Sequence, residues 1–140
     1  MKMDIDVYND ALHREQVIEL WHLVFGYEAG HNAPDRVIDM KLQHADELFF
    51  VALKEKKVIG TMMAGYDGHR GWIYSVAVHP DERKQNIGSE MLLFTQRRLE
   101  RLGCMKINLQ ILGDNKAVKD FYEANGFSVE DRVSMGKKLY

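Results

Sequence analysis

Apolar residues in the first third of the chain recur at helical spacing. Between Asp10 and Phe25 they follow the i, i+3, i+4, i+7 order of a single helix face. The residues on this face are Val17, Leu20, Trp21 and Val24. The spacing predicts a helix from Asp10 to Phe25, with Asp10 as its N-cap. A second helix is predicted from Pro34 to about Ala45, because proline suits a first helical turn. Its inward positions would be Ile38, Leu42 and Ala45.

The middle of the chain changes to short apolar runs that favour strands. The segments Leu48–Leu53, Val58–Tyr66 and Trp72–Val78 are rich in strand-forming residues. A charged turn at Glu55–Lys57 separates the first two, and a glycine-bearing loop at Asp67–Gly71 separates the second two. These three segments therefore predict a β meander.

The remaining sequence alternates between helix and strand. A helix is predicted from Ile87 to Leu102, ending before Gly103, with an apolar face that includes Leu92, Leu99 and Leu102. A strand from Met105 to Leu112, a helix from Asn115 to Ala124 and two short strands within Phe127–Leu139 would follow. The predicted fold class is α/β: a mixed, mostly antiparallel twisted sheet with helices on both faces. The strand–helix–strand unit ending at Leu112 supplies its one parallel pair.

Composition limits the class of protein and its surroundings. The 140 residues fit one domain, residues 1–140, and carry a formal net charge of −2. That charge gives no reason to expect nucleic acid or an anionic membrane as a partner. No segment approaches the ~20 apolar residues of a membrane span. The single cysteine, Cys104, excludes an internal disulfide and favours a cytoplasmic location. The six histidines are not spaced as a metal cluster, so no metal is expected.

The stretch from Val76 to Ser89 carries the most chemical information. An apolar strand ends at Pro80, a polar loop follows, and a helix begins near Gly88. The first N–H groups of a helix lack partners within it, so such a turn can hold a pyrophosphate. Arg83 and Lys84 add positive charge. Taken alone, the same pattern also describes an ordinary polar loop between a strand and a helix.

Two motifs in this sequence resemble those of the GNAT superfamily of N-acetyltransferases. The first is the acetyl-CoA signature V-x-P-x-x-R-x-x-G-x-G/A, matched here by Val78, Pro80, Arg83, Ile87 and Gly88. The second is N-x-x-A-x-x-F/Y-Y-x-x-x-G-F, matched by the segment from Asn115 to Phe127. The predicted order of strands and helices also resembles the family along nearly the whole chain. Two motifs in the correct order are far more specific than either alone.

The resemblance implies a fold, a cofactor and a set of residue roles. It implies a GNAT-like sheet in which two parallel strands splay apart beside a β-bulge, and acetyl-CoA as cosubstrate. Backbone groups of the strand would pair with the pantetheine arm, and the loop and helix start would hold the pyrophosphate. The residues implied to bind the cofactor are Val76, Ala77, Val78, Arg83, Lys84, Gln85, Asn86, Ile87, Gly88, Ser89 and Asn115. Tyr122 occupies the position of the general acid, which protonates the leaving thiolate.

This sequence departs from the family pattern at two places. Asn86 replaces the central glycine of the signature, although asparagine tolerates a left-handed backbone better than most residues. The strand segment Trp72–Val76 lacks the glutamate that many members use as general base. A water chain could accept the proton instead, as could a side chain from elsewhere. The candidates are Glu28, His31, Asp67 and His69.

The sequence therefore leaves two functions open. The first is transfer of an acetyl group from acetyl-CoA to a primary amine, a small molecule or a peptide, by direct attack on the thioester. The alternative is an acyl-CoA-binding sensor or partner-binding module without catalysis, which the two departures motivate. A homodimer is a further possibility that the resemblance raises.

Overall fold

A five-stranded sheet organises the larger part of this computed structural model, which describes residues 3–140. The strands are β1 (Met3–Val7), β2 (Phe49–Lys54), β3 (Lys57–Tyr66), β4 (Gly71–Val78) and β5 (Ile107–Leu109). They lie in the order β1-β2-β3-β4-β5. The first three pairings are antiparallel, and β4 pairs with β5 in parallel. The mixed, mostly antiparallel sheet predicted from the sequence is confirmed.

The chain divides into two compact units. The first ends at Leu109 and contains the sheet with three helices: α1 (Asp10–Phe25), α2 (Pro34–His44) and α3 (Ile87–Arg101). The second, Gln110–Tyr140, contains α4 (Lys116–Ala124). Short 3₁₀ turns lie at Gly30–Asn32 and Pro80–Glu82.

Helices cover both faces of the sheet in the first unit. On one face α1 and α2 pack over a core that includes Val17, Trp21, Ile38 and Met63. On the other face α3 lies over β2 and β3, where Phe94 packs edge-on against Phe50 at 5.1 Å between ring centroids. Helices α1 and α3 therefore lie against opposite faces of β3, which is buried from Val58 to Ala64. A strand that is apolar on both faces is expected where helices cover both.

The N-terminal region differs from the prediction in two respects. Asn9, not Asp10, is the N-cap of α1, and its side chain accepts the backbone N–H of Leu12 at 3.1 Å. The Asp10 carboxylate instead accepts hydrogen bonds from the Tyr8 hydroxyl at 2.7 Å and the Arg14 Nε at 2.8 Å. The edge strand β1 was not predicted from the sequence, because its alternating acidic and apolar residues are too few to indicate a strand.

Helix α2 turns a different face inward from the one predicted. Ile38 is buried as expected, but Leu42 and Ala45 are exposed, and Lys41 is buried in their place. Burial of Lys41 is compensated because its ammonium donates to Asp46 Oδ2 at 2.8 Å and to the Ala64 carbonyl oxygen. These partners offset the desolvation cost of the buried ammonium. A lysine can therefore occupy a position that periodicity assigns to an apolar residue.

The C-terminal half contains three further corrections. Leu102, expected in the apolar face of α3, is exposed, whereas Leu92 and Leu99 are buried. The predicted strand Met105–Leu112 is reduced to the three residues of β5, because only these pair with β4. The two strands predicted within Phe127–Leu139 are absent from the structure. From Val129 onward the apolar side chains of that segment stay exposed, Val133 to 89%, so no packed face holds them in strands.

Candidate active site

A β-bulge interrupts β4 in the middle of the sheet. Thr61 pairs with Ala77 and Met63 pairs with Tyr74, so Met62 lies opposite two residues, Ser75 and Val76. Ser75 adopts the left-handed backbone conformation with a φ of 51°. This conformation costs a residue with a side chain ~1–3 kcal/mol, so the surrounding structure must support it.

A buried hydrogen-bond chain supports the bulge from the face covered by α1. The Trp21 indole Nε1 donates to the Thr61 hydroxyl oxygen at 2.9 Å, and that hydroxyl donates to the Ser75 carbonyl oxygen at 2.9 Å. Trp21 is on α1 and Thr61 is on β3. The chain therefore joins a helix, the centre of the sheet and the bulge.

Beyond the bulge, one edge of β4 has no strand partner in the part of the chain that the structure describes. Pairing with β5 ends at Ile73, which lies opposite Leu109, whereas β4 continues to Val78. On its other edge the strand stays paired with β3, and the His79 amide donates to the Ile59 carbonyl oxygen at 2.8 Å. Because backbone N–H groups alternate sides along a strand, the Val78 amide points to the unpaired edge. This edge can accept an extended polar chain as an additional strand would.

The loop after β4 is shaped by two left-handed residues. Lys84 has a φ of 65° and Asn86 a φ of 62°. The Arg83 guanidinium turns back to donate from Nε to the Val78 carbonyl oxygen at 3.3 Å. Loops with such turns direct successive backbone N–H groups into a concave surface that binds anions. Asn86 stands where the family signature has its central glycine, and its backbone has the left-handed conformation that glycine tolerates best.

The start of α3 follows directly. Asn86 is its N-cap, but the asparagine side chain makes no capping hydrogen bond. The first intrahelical bond runs from the Glu90 amide to the Asn86 carbonyl oxygen at 2.9 Å. The amides of Ile87 and Gly88 precede that bond, so they have no carbonyl within the helix to bond to. The positive end of the helix dipole adds to their attraction for an anion.

The second unit holds the residues of the second motif. Asn115 is the N-cap of α4 and accepts the Val118 amide at 3.3 Å. Tyr122 is buried in α4, and its ring packs edge-on against Phe121 at 5.0 Å and Phe127 at 5.5 Å between centroids. Burial raises the pKa of Tyr122 to about 12, so its phenol keeps its proton at neutral pH. As the N-cap of α4, Asn115 therefore has a structural role that is separate from a role at the cofactor.

The four residues named as candidate bases differ in how they are used. Asp67 accepts the backbone amides of His69 and Arg70, each at 2.7 Å. These hydrogen bonds lower the pKa of Asp67, so its carboxylate is a weak base. The same hydrogen bonds fix the conformation of the β3–β4 loop. Glu28, His31 and His69 are exposed. The sequence of β4 contains no carboxylate, and its two most exposed side chains are Trp72 and Tyr74.

Among residues 3–140, no group of three or more histidine, cysteine or carboxylate side chains could hold a metal ion. No helix in that range is long and apolar enough to cross a membrane.

Comparison with known proteins assigns the family. The sequence matches the Acetyltransferase (GNAT) family over residues 14–127. An acetyltransferase of Sodalis glossinidius (strain morsitans) is 40% identical over 126 residues, covering 89% of this chain and 88% of the relative. The chain therefore belongs to the GNAT family of acetyltransferases.

Solved structures share the fold at lower identity. The aminoglycoside N-acetyltransferase AAC(6')-Iy, in complex with CoA, matches with a TM-score of 0.79 and 21% identity, covering 99% of this chain and 96% of its own. The PaiA N-acetyltransferase of Thermoplasma acidophilum, in complex with coenzyme A, matches with a TM-score of 0.78 and 18% identity, covering 95% and 94%. At these identities the likeness establishes the fold alone.

Proposed function

We propose that this protein transfers an acetyl group from acetyl-CoA to a primary amine. One observation carries the proposal: the edge of β4 left open beyond the Ser75 bulge leads directly into a loop and a helix start suited to a pyrophosphate. An extended pantetheine arm ending in a pyrophosphate matches that succession of backbone sites. Membership of the GNAT family, and the CoA complexes of the two structural neighbours, support the same cosubstrate.

The binding roles follow the order of the chain. Val76, Ala77 and Val78 would pair with the amide groups of the pantetheine arm through backbone atoms. The loop from Arg83 to Asn86 and the first residues of α3, Ile87 to Ser89, would hold the pyrophosphate. The role of Asn115 at the cofactor rests on the family motif.

The reaction requires one nucleophile, one oxyanion site and one acid. The neutral amine attacks the thioester carbonyl carbon, and the carbonyl π electrons move to oxygen. A backbone N–H on the unpaired edge of β4 would stabilise this oxyanion. The oxyanion then collapses, the C–S bond breaks, and the thiolate takes the phenolic proton of Tyr122. The nitrogen loses its proton to a water chain or to one of the four candidate bases, and the Tyr122 phenolate regains a proton from solvent, which gives an amide, CoA and the original enzyme.

Replacement of Tyr122 tests the acid role. Tyr122→Phe removes only the hydroxyl, and we expect kcat to fall by roughly 10²–10⁴-fold, the usual contribution of a positioned acid. Tyr140→Phe is a control for the loss of a phenol hydroxyl elsewhere in the same unit, at an exposed tyrosine whose ring Lys138 Nζ approaches at 5.7 Å. An unchanged kcat for Tyr122→Phe at every pH would remove Tyr122 from the mechanism.

Calorimetric titration tests the cosubstrate, with free CoA and ATP as controls. Micromolar acetyl-CoA binding, followed by turnover across a panel of primary amines, would establish the enzyme. Binding without any acetylated product would instead favour an acyl-CoA-binding module, the alternative that the carboxylate-free β4 motivates. No binding by a folded sample would refute both.

The proposal also covers the organisation of the protein. The family match runs from residue 14 to residue 127 and so includes parts of both units, which supports one N-acetyltransferase domain over residues 1–140. A cytoplasmic location and a homodimer belong to the same proposal. Cell fractionation and sedimentation would test them.

A further inference from the structure

We propose that Thr61 is a positioning residue for acetyl transfer, because its hydroxyl holds the bulge of β4 in the shape that presents the strand edge to the cofactor. Trp21 fixes the direction of that hydroxyl. The effect on catalysis rests on the proposed function, whereas the effect on the bulge does not.

The direction of each hydrogen bond in the chain is fixed by its donors. An indole N–H can only donate, and the Ser75 carbonyl oxygen can only accept. The Thr61 hydroxyl lies 2.9 Å from each, so it must accept from Trp21 and donate to Ser75. It therefore has no rotational freedom. Hydrogen bonds joined in this way strengthen one another in a low-dielectric interior.

Thr61 contacts a residue that is not its partner in the sheet. Its register partner is Ala77, yet its hydroxyl bonds to Ser75, two positions nearer the start of β4. Ser75 is the left-handed residue of the bulge. A fixed hydroxyl on its carbonyl oxygen thus holds the peptide group at which β4 changes direction. The next three residues, Val76 to Val78, are those proposed to pair with the pantetheine arm.

The chain contains a matched control on the opposite face of the sheet. Thr61 and Thr95 are both fully buried, at 0% exposure. The Thr95 hydroxyl is on α3 and donates to Met62 Sδ at 3.1 Å. Met62 lies opposite the bulge, but successive side chains of a strand point to opposite faces, so this contact is on the other face of the sheet from the bond between Thr61 and Ser75. Replacing either threonine by valine keeps the shape and removes one buried hydroxyl. A general loss of packing or hydrogen bonding would affect both variants alike.

The experiment compares Thr61→Val, Thr61→Ser and Thr95→Val by thermal unfolding and by steady-state kinetics. The substrates are acetyl-CoA and a primary amine from the panel that wild type acetylates. We expect Thr61→Val to lower kcat/KM by about tenfold to a hundredfold, as small misplacements of a reacting group do. Thr61→Ser keeps the hydroxyl and should restore most of the activity. Thr95→Val should keep its activity even if its unfolding temperature falls. Equal kcat/KM values for Thr61→Val and Thr95→Val would overturn the proposal.

A measurement without cofactor separates this inference from the proposed function. In the free protein, NMR chemical shifts report the backbone conformation of Ser75. We expect these shifts to leave the left-handed range in Thr61→Val and to keep it in Thr61→Ser and Thr95→Val. Left-handed shifts retained in Thr61→Val would refute the positioning role, whether or not wild type binds acetyl-CoA. If Thr61→Val does not fold, Thr61→Ala gives the same test, because it also removes the hydroxyl from the Ser75 carbonyl and leaves room for a water to accept the Trp21 N–H.

Discussion

Asn86 offers a test of the loop in which the effects of backbone and side chain can be separated. It has a φ of 62° and is the N-cap of α3, yet its side chain is exposed and makes no capping hydrogen bond. Because the side chain supports neither the helix nor the core, substitution acts almost entirely through the left-handed backbone. Three variants report on this: Asn86→Gly, Asn86→Ala and Asn86→Val.

The magnitudes follow from the cost of a left-handed residue. That conformation costs an ordinary L-residue ~1–2 kcal/mol and costs asparagine less. Asn86→Ala should therefore lower the free energy of unfolding by about 1 kcal/mol, and the β-branched Asn86→Val should lower it further. Glycine removes the strain but gains unfolded-state entropy worth ~0.4–1 kcal/mol, so Asn86→Gly should stay near wild type.

Urea denaturation and calorimetric titration with CoA are the two assays. Stability should rank glycine and asparagine above alanine, and alanine above valine, and CoA affinity should follow the same order. An alanine variant as stable as wild type would refute the left-handed assignment. A glycine variant of normal stability but much weaker CoA binding would show that the asparagine side chain itself contacts the ligand, contrary to the backbone role proposed here.

Two further predictions concern stability. Gly71→Ala should lower the free energy of unfolding by ~1–3 kcal/mol, since the added Cβ would lie 2.9 Å from Cys104 Sγ and 3.0 Å from Leu99 Cδ1. Gly113→Ala, whose Cβ would meet no atom within 4 Å, is the control, and equal unfolding midpoints would contradict the prediction. Burial lowers the pKa of His13 in the folded state below 6.5, so its contribution to stability is full above that pH and is lost as the pH falls through the folded pKa. The unfolding temperature of wild type should therefore fall more than that of His13→Gln between about pH 7.5 and pH 5.5, and parallel curves would exclude this origin.

Periodicity predicted the elements that bury one continuous apolar face. The predicted bounds of four elements agree with the structure to within one residue: α1, β2, β3 and β4. The same reasoning was wrong for α2, where Lys41 is buried while Leu42 is exposed. Periodicity assigns a charged residue to solvent, but the partners that satisfy this ammonium, Asp46 and the Ala64 carbonyl, come from outside the helix. Contacts between distant segments are invisible to a local pattern.

The site shows the same division between local and distant information. The two motifs indicated the loop and the helix start, and Asn86 was expected to tolerate a left-handed backbone. The contribution of Thr61 could not be predicted, because it depends on a bulge that brings the hydroxyl to Ser75 and on an indole 40 positions earlier in the chain. A threonine within an apolar strand gives no signal of its own, since threonine is common in strands.

Several left-handed residues other than glycine lie along the proposed cofactor path. Three of the seven in the described chain, Ser75, Lys84 and Asn86, lie within twelve residues of one another, and none is in a hairpin turn. Each is energetically unfavourable in the free protein, so the fold must hold them, as the Thr61 hydroxyl does for Ser75. A ligand that bonds to the adjacent backbone amides would stabilise the same conformations. The strain and the ligand are then linked: any substitution that relaxes one of these backbones to a right-handed or extended form should weaken CoA binding, even where no side chain touches the ligand.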